Sequence, residues 1–156
     1  MAAIRKGLAD SRSHYALRQL AEVIVSELRP KDYNSEILAV FHFVWAHTRY
    51  TQDPRRIELV KAPYIIAQQL LDGNTPTVDC DDLIALTAGI LEALGHHVEA
   101  VTAAFKNVFH QGERQYTHIF VRVREPSTKR YIVLDPVPVR VKDMLGRIVA
   151  AKIWPL

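Results

Sequence analysis

CDDLIALTAGILEAL, residues Cys80 to Leu94, decides how the rest of the chain must be arranged. Apolar side chains occupy most of its circumference, and a helix without a wide polar face is one that is covered on all sides. Gly95 stands just past its end, where a residue of left-handed conformation commonly closes a helix. Ala85, Ala88 and Gly89 offer small side chains at which neighbouring elements can approach closely. Such a central helix needs covering layers, and the flanking sequence supplies two kinds.

Upstream the period is helical. Residues His14 to Leu28 carry Leu17, Leu20, Ala21, Ile24 and Leu28 on one stripe that ends before Pro30. Asn34 to Thr48 repeats the pattern with Ile37, Val40, Phe41, Val44 and Trp45, and Asn34 or Ser35 can cap it. A polar connection from Arg49 to Lys61 leads to a short helix that begins at Pro63 and stops at Gly73. Downstream the period becomes two. HVEAVTAAF (His97 to Phe105), THIFVRVR (Thr117 to Arg124) and RYIVLD (Arg130 to Asp135) read as strands, and Val137 to Val141, with its prolines, as an edge strand. Helices first and strands later predict an α+β domain rather than alternating βαβ units. The expected organisation is one domain over residues 1–156, with N-terminal helices to 62, a catalytic core over 63–141 and a C-terminal extension over 142–156.

The 156 residues are 49% apolar, enough to bury a core without staples. A lone cysteine excludes an intrachain disulfide and suits a reducing compartment. The first residues lack the apolar centre of a signal peptide, and no run approaches the roughly 18 apolar residues of a membrane span. A soluble, cytoplasmic protein with no membrane partner is therefore expected. The net charge of +3 is spread along the chain, so no nucleic-acid partner is expected. Arg122, Arg124, Lys129, Arg130 and Arg140 gather modestly in the later strands, where they suit solvated surface or an acidic partner.

Cys80 opens the central helix, where unpaired N–H groups and the macrodipole favour a thiolate. Asp79, Asp81 and Asp82 oppose a second negative charge there, so a cationic partner is required. The same aspartates have a structural use: Asp79 caps the helix, and Asp81 and Asp82 complement its dipole. Among seven histidines, His118 is singled out at the start of a strongly alternating strand. A hairpin turning at Pro126-Ser127 sets His118 directly opposite Asp135, with Cβ atoms about 5 Å apart. The implied roles are Cys80 as nucleophile, His118 as base and Asp135 as the group that orients the imidazole. The N–H of Cys80 is one oxyanion donor; the second would come from Tyr50 to Asp53, Gln68 or Gln69. No cofactor is expected. A metal site is not expected either, because the aspartates lie on different sides of a helical turn.

The segments VDCDDLIALTAGILEALGHHVEAVT, YTHIFVRV and YIVLDPVP together resemble the transglutaminase-like superfamily, in its short bacterial and phage versions. VWAHTRYTQDPRRIELVKAPYIIAQQLLDGNTPTVDCDD extends the resemblance upstream, so that it covers roughly residues 37 to 141. The resemblance implies a papain-like α+β fold and thioester chemistry, with Cys80 matching the family nucleophile, His118 its base and Asp135 its third member. Val78 stands where the family often has Gly, and His118-Ile119-Phe120 where it often has His-Ala-Trp. The expected activity is hydrolysis or acyl transfer at amide bonds of a protein or peptide. Hydrolysis is placed ahead of transfer because the chain lacks the extra domains of large transglutaminases. The alternatives are a protein-glutamine transglutaminase, or a non-catalytic interaction module in phage or bacterial particle assembly.

Overall fold

The computed structural model describes residues 1–12, 14–51, 60–135 and 148–156. Among these residues five helices precede or form the centre of the fold: α1 (Ala2–Ser11), α2 (Tyr15–Val25), α3 (Tyr33–His47), α4 (Pro63–Leu71) and α5 (Cys80–Ala93). Between α3 and α4 lies β1 (Arg49–Tyr50), which pairs in parallel with β2 (Thr77–Val78) just before α5. After α5 come β3 (His97–Ala104), the small hairpin β4 (Phe109–His110) and β5 (Glu113–Arg114), then β6 (His118–Arg124), β7 (Tyr131–Leu134) and β8 (Ala150–Pro155). The main sheet has the order β7-β6-β3-β8, and each neighbouring pair is antiparallel. This is an α+β architecture, as the order of helical and strand periods predicts. No helix among the described residues is long and apolar enough to cross a membrane.

The central helix explains the layering. Every residue of α5 from Asp82 to Leu91 is buried, so helices cover one side while β3 and β6 cover the other. Gly89 is a point of close approach between helices: a Cβ there would stand 3.0 Å from Leu17 Cδ1 and 3.3 Å from Leu8 Cδ2. At its C-terminus Gly95, with φ of 86°, donates to Glu92 O while His96 N–H donates to Leu91 O. This left-handed closure turns the chain straight into β3.

Three local expectations change. A helix absent from the sequence reading, α1, buries Ile4, Leu8 and Ser11; two large apolar residues one turn apart are too short a stripe to stand out. The cap of α3 is Asp32 rather than Asn34 or Ser35, because its carboxylate accepts both Ser35 N–H (3.2 Å) and Ser35 Oγ–H (2.8 Å). Residues 150–155 of the expected extension pair with β3 and belong to the sheet. The edge strand expected at Val137 to Val141 lies outside the described residues.

The hairpin register also differs. Val121 faces Leu134 and Arg124 faces Tyr131, so the ladder is offset by two residues from one that sets His118 directly across from Asp135. A shift of two preserves the face on which every side chain stands, whereas a shift of one would reverse it. The turn is the cause. Glu125 N–H donates to Arg130 O, Lys129 takes a φ of 61°, and the Glu125 carboxylate accepts the N–H groups of Ser127 and Thr128. The turn therefore spans Pro126 to Lys129, farther along than the Pro126-Ser127 dipeptide implies.

Gly89→Leu is expected to lower stability by about 1–3 kcal/mol through overpacking against Leu8 and Leu17, measured by urea unfolding. Glu125 gives a pH signature. The Thr128 side chain, with the Ser127 and Thr128 amides, holds its carboxyl down to about 2. A depressed folded pKa contributes stability above the unfolded value near 4.3, and that contribution disappears as pH falls toward about 2. The urea midpoint of the wild type should consequently fall more between pH 5 and pH 2 than that of Glu125→Gln.

Candidate active site

Cys80 occupies the first position of α5, and Asp79 is its N-cap, accepting Asp82 N–H at 2.9 Å. Asp82 itself is buried at 2% exposure. Its carboxylate accepts the Lys61 N–H at 2.7 Å and lies 3.5 Å from Lys61 Nζ, which donates to Thr77 O. The aspartate assigned to the helix dipole thus also ties the chain at Lys61 to the start of the helix. Burial raises its pKa, opposed by the Lys61 amide.

The carboxylates beside the thiol act against a second negative charge, as the sequence reading expects. Burial first, and then the carboxylates of Asp81 and Asp79, push Cys80 up to about 12. The backbone N–H groups of the helix start lower it, but not enough to offset these effects. Cys80 is accordingly a neutral thiol at pH 7, and Sγ–H points to Asp81 Oδ1 at 3.8 Å.

His118 and Asp135 are brought together. Nε2 of His118 lies 2.6 Å from Oδ2 of Asp135, and both residues are largely covered. In the offset register they form a diagonal pair rather than a directly opposed one. An ionised carboxylate accepts from Nε2–H, which leaves Nδ1 of the neutral imidazole as a proton acceptor. The Phe105 and Phe120 rings stand 5.7 Å and 6.0 Å from the imidazole. Opposite His118 on β3 is Ala103, whose small side chain leaves the imidazole room.

Simple chain geometry locates this pair relative to the cysteine. Only Leu94 to His96 separate α5 from β3, and β3 packs back along α5. A helix of this length runs about 20 Å and a strand of this length about 26 Å, so β3 ends near the N-terminus of α5. His118 pairs with Ala103 at that end of β3. The histidine and Cys80 therefore share one end of the molecule. The strand faces divide them, however. Ile119, Val121 and Val123 join the core around α5, to which Cys80 also packs, whereas Phe120 joins Val101 and Ala103 in a second cluster. His118 has the parity of Phe120, and no hydrogen bond joins it to Cys80.

Tyr50 belongs to the same neighbourhood. The β1–β2 ladder sets it beside Val78, and burial first, then the neighbouring Cys80 and Asp79 side chains, raises its phenol. The amides of Arg49 and Thr51 already donate to Pro76 O and Val78 O. Gln68 donates to Asp72, and with Gln69 it lines a groove against α2. Of the basic residues near the later strands, Arg122 is engaged by Glu99 at 2.5 Å and by the Tyr131 ring at 4.1 Å. Phe105 and Phe120 were not singled out by the sequence reading; their proximity to His118 follows from strand pairing that residue spacing does not reveal. Trp45, which the sequence reading places on the apolar stripe of α3 as a core or groove-wall residue, is 54% exposed.

No family model matches the chain, and no curated protein sequence matches it. Solved structures do. A candidate protease from Parabacteroides distasonis superposes with a TM-score of 0.59 at 14% identity, over 89% of this chain and 26% of that one. A candidate cysteine protease from Cytophaga hutchinsonii gives 0.56 at 14%, over 90% and 46%. LapG from Legionella pneumophila gives 0.56 at 16%, over 97% and 87%. The chain thus spans about a quarter and less than half of the first two proteins, and most of the third. The likeness establishes the fold, an α+β architecture with a papain-like, transglutaminase-like core.

Asp82→Ala is expected to lower stability by about 1–3 kcal/mol, because the Lys61 N–H loses its acceptor. Urea unfolding at pH 7 checks the value; an unchanged midpoint would show the tether to be dispensable.

Proposed function

We propose that the chain is a cysteine hydrolase that cleaves amide bonds of a protein or peptide, with Cys80, His118 and Asp135 as its triad. The observation that carries this reading is the His118–Asp135 pair at 2.6 Å, at the end of the sheet where α5 begins with Cys80. In this mechanism Nδ1 of His118 removes the Sγ proton as sulfur attacks the carbonyl carbon. Asp135 keeps Nε2–H oriented and balances the imidazolium charge. Charge collects on the carbonyl oxygen, where the Cys80 N–H at the helix terminus is one donor. The imidazolium then returns its proton to the departing amine, leaving a thioester and neutral imidazole. Water, deprotonated by His118, attacks the thioester; carboxylic acid leaves and the thiol is restored.

Since Cys80 is raised to about 12, catalysis needs His118 to close on the thiol rather than a thiolate standing ready. Likeness to two candidate proteases favours water over an amine as the second nucleophile. Transfer to a lysine amine would use the same thioester. A second reading, a binding module that keeps the fold without turnover, is favoured by the neutral thiol and by the absence of a Cys80–His118 hydrogen bond.

Alkylation of Cys80 by iodoacetamide across pH separates these readings. In the triad reading His118 takes the thiol proton as sulfur attacks, so near neutral pH the wild type alkylates faster than His118→Ala, although burial and the neighbouring carboxylates raise Cys80 itself to about 12. Identical profiles in both proteins would sink the triad. A glutamine peptide incubated with and without a primary amine then distinguishes the acceptors: free acid is expected, and amine incorporation without acid would reverse the order.

A further inference from the structure

We infer that the Tyr50 hydroxyl is the second donor of the oxyanion hole, beside the Cys80 N–H, and that it hydrogen-bonds the substrate carbonyl oxygen as that oxygen becomes negative. The inference rests on the hydrolase reading above and deepens it. An acyl carbon attacked by sulfur needs its oxygen held by more than one donor, and the amide at the helix terminus supplies only the first. The other expected sources are engaged or stand elsewhere. The amides of Arg49 and Thr51 donate to Pro76 O and Val78 O along the parallel ladder. Gln68 donates to Asp72, and Gln68 and Gln69 line the groove between α2 and α4, to which no residue of α5 contributes. Gln52 and Asp53 lie outside the described residues.

Backbone geometry brings the phenol to the thiol. In the parallel pairing of β1 with β2, Tyr50 stands opposite Val78. Asp79 follows Val78 in extended conformation, with φ of −102° and ψ of −169°. Residues on either side of an extended one point to the same face, so Val78, Cys80 and Tyr50 share a face. Cys80 is then the diagonal neighbour of Tyr50, about 7–8 Å away, a span that an aromatic side chain bridges. Covering falls off across that face: Val78 is buried, Cys80 is partly buried and Tyr50 is half exposed. The phenol thus stands on the solvent side of the thiol, the side from which a polypeptide carbonyl enters.

The hydroxyl is also free to donate. Among the described residues no hydrogen bond engages it, whereas the Thr51 amide and the Thr77 carbonyl beside it are both taken. Burial, then the neighbouring Cys80 and Asp79 side chains, raises the phenol, so its proton stays on oxygen at neutral pH. As Sγ attacks, the carbonyl π pair moves onto oxygen, and Tyr50 O–H and Cys80 N–H donate to it without giving up their protons. When the C–N bond breaks, the pair returns to the carbonyl and both hydrogen bonds weaken. Asp79 and Asp81 make such a donor necessary, because the carboxylates that oppose a thiolate at Cys80 oppose a neighbouring oxyanion as well.

Two reagents on Cys80 near neutral pH isolate this role: p-nitrophenyl acetate and iodoacetamide. Acetylation of the thiol passes through a tetrahedral oxyanion, whereas alkylation displaces iodide at a saturated carbon and forms none. Tyr50→Phe keeps the ring and removes only the donor. It should slow acetylation about 10- to 100-fold and leave alkylation unchanged, with Cys80→Ala supplying the background release of p-nitrophenolate to be subtracted. Acetylation as fast in Tyr50→Phe as in the wild type overturns the inference, and so does an equal loss with both reagents, which would mark Tyr50 as structural; in either case the triad stands. If His118→Ala reacts with both reagents as fast as the wild type, the hydrolase reading fails and the inference falls with it.

Discussion

Burial of α5 on all its sides is the constraint from which the remaining structure follows. An apolar helix with no exposed stripe can be stable in water only when separate layers cover it. Leu8 and Leu17 reach Gly89 from α1 and α2, while Val98, Ala100, Val121 and Val123 cover α5 from the sheet. The helix N-terminus, by contrast, stays at the margin of the core, where Cys80 is only partly buried. The same packing that hides the helix leaves the end that carries Cys80 near the surface.

Polar anchors then set what stands around that end. Asp79 caps the helix, and Asp82 uses its two oxygens on the backbone and side chain of Lys61. These carboxylates have an electrostatic consequence. Together with burial, Asp79 and Asp81 make the thiolate unfavourable, and the helix dipole does not compensate. The features that order the helix start thus work against the ionised nucleophile. In the proposed mechanism a partner that takes the proton during attack reconciles the two demands, and His118 with its Asp135 acceptor has the chemistry to be that partner.

Strand parity is what makes the His118–Asp135 pair robust. In the observed register the residues meet diagonally, yet both remain on the face shared with Phe120 because the offset is an even number of residues. The Glu125 turn chooses between registers of equal parity, since its side chain satisfies the amides of Ser127 and Thr128 and fixes where the chain reverses. Phe105 is placed by the same strand logic: it follows β3 directly and lies beside the imidazole.

Much of this was legible in the chain itself. The continuous apolar run from Leu83 to Leu91, the stripes of α2 and α3 and the alternation of β6 determined the helical and sheet layers, because these patterns have the period of the backbone that bears them. The residues Cys80, His118 and Asp135 were legible as chemical candidates from their types and positions. What the sequence did not determine was how far apart they stand and in what state. A thiol's pKa depends on desolvation and on charges summed through space, so the rise of Cys80 to about 12 emerges only when the helix is packed and Asp79 and Asp81 are in place. Register likewise depends on which hydrogen bonds a turn can satisfy, and α1 on a core that its own two large apolar residues do not announce. The sequence by itself determined the elements and the candidate groups, through periodicity and residue chemistry; the tertiary structure decided the diagonal His118–Asp135 pairing and the neutral thiol, because both are set by distances between segments far apart in the chain.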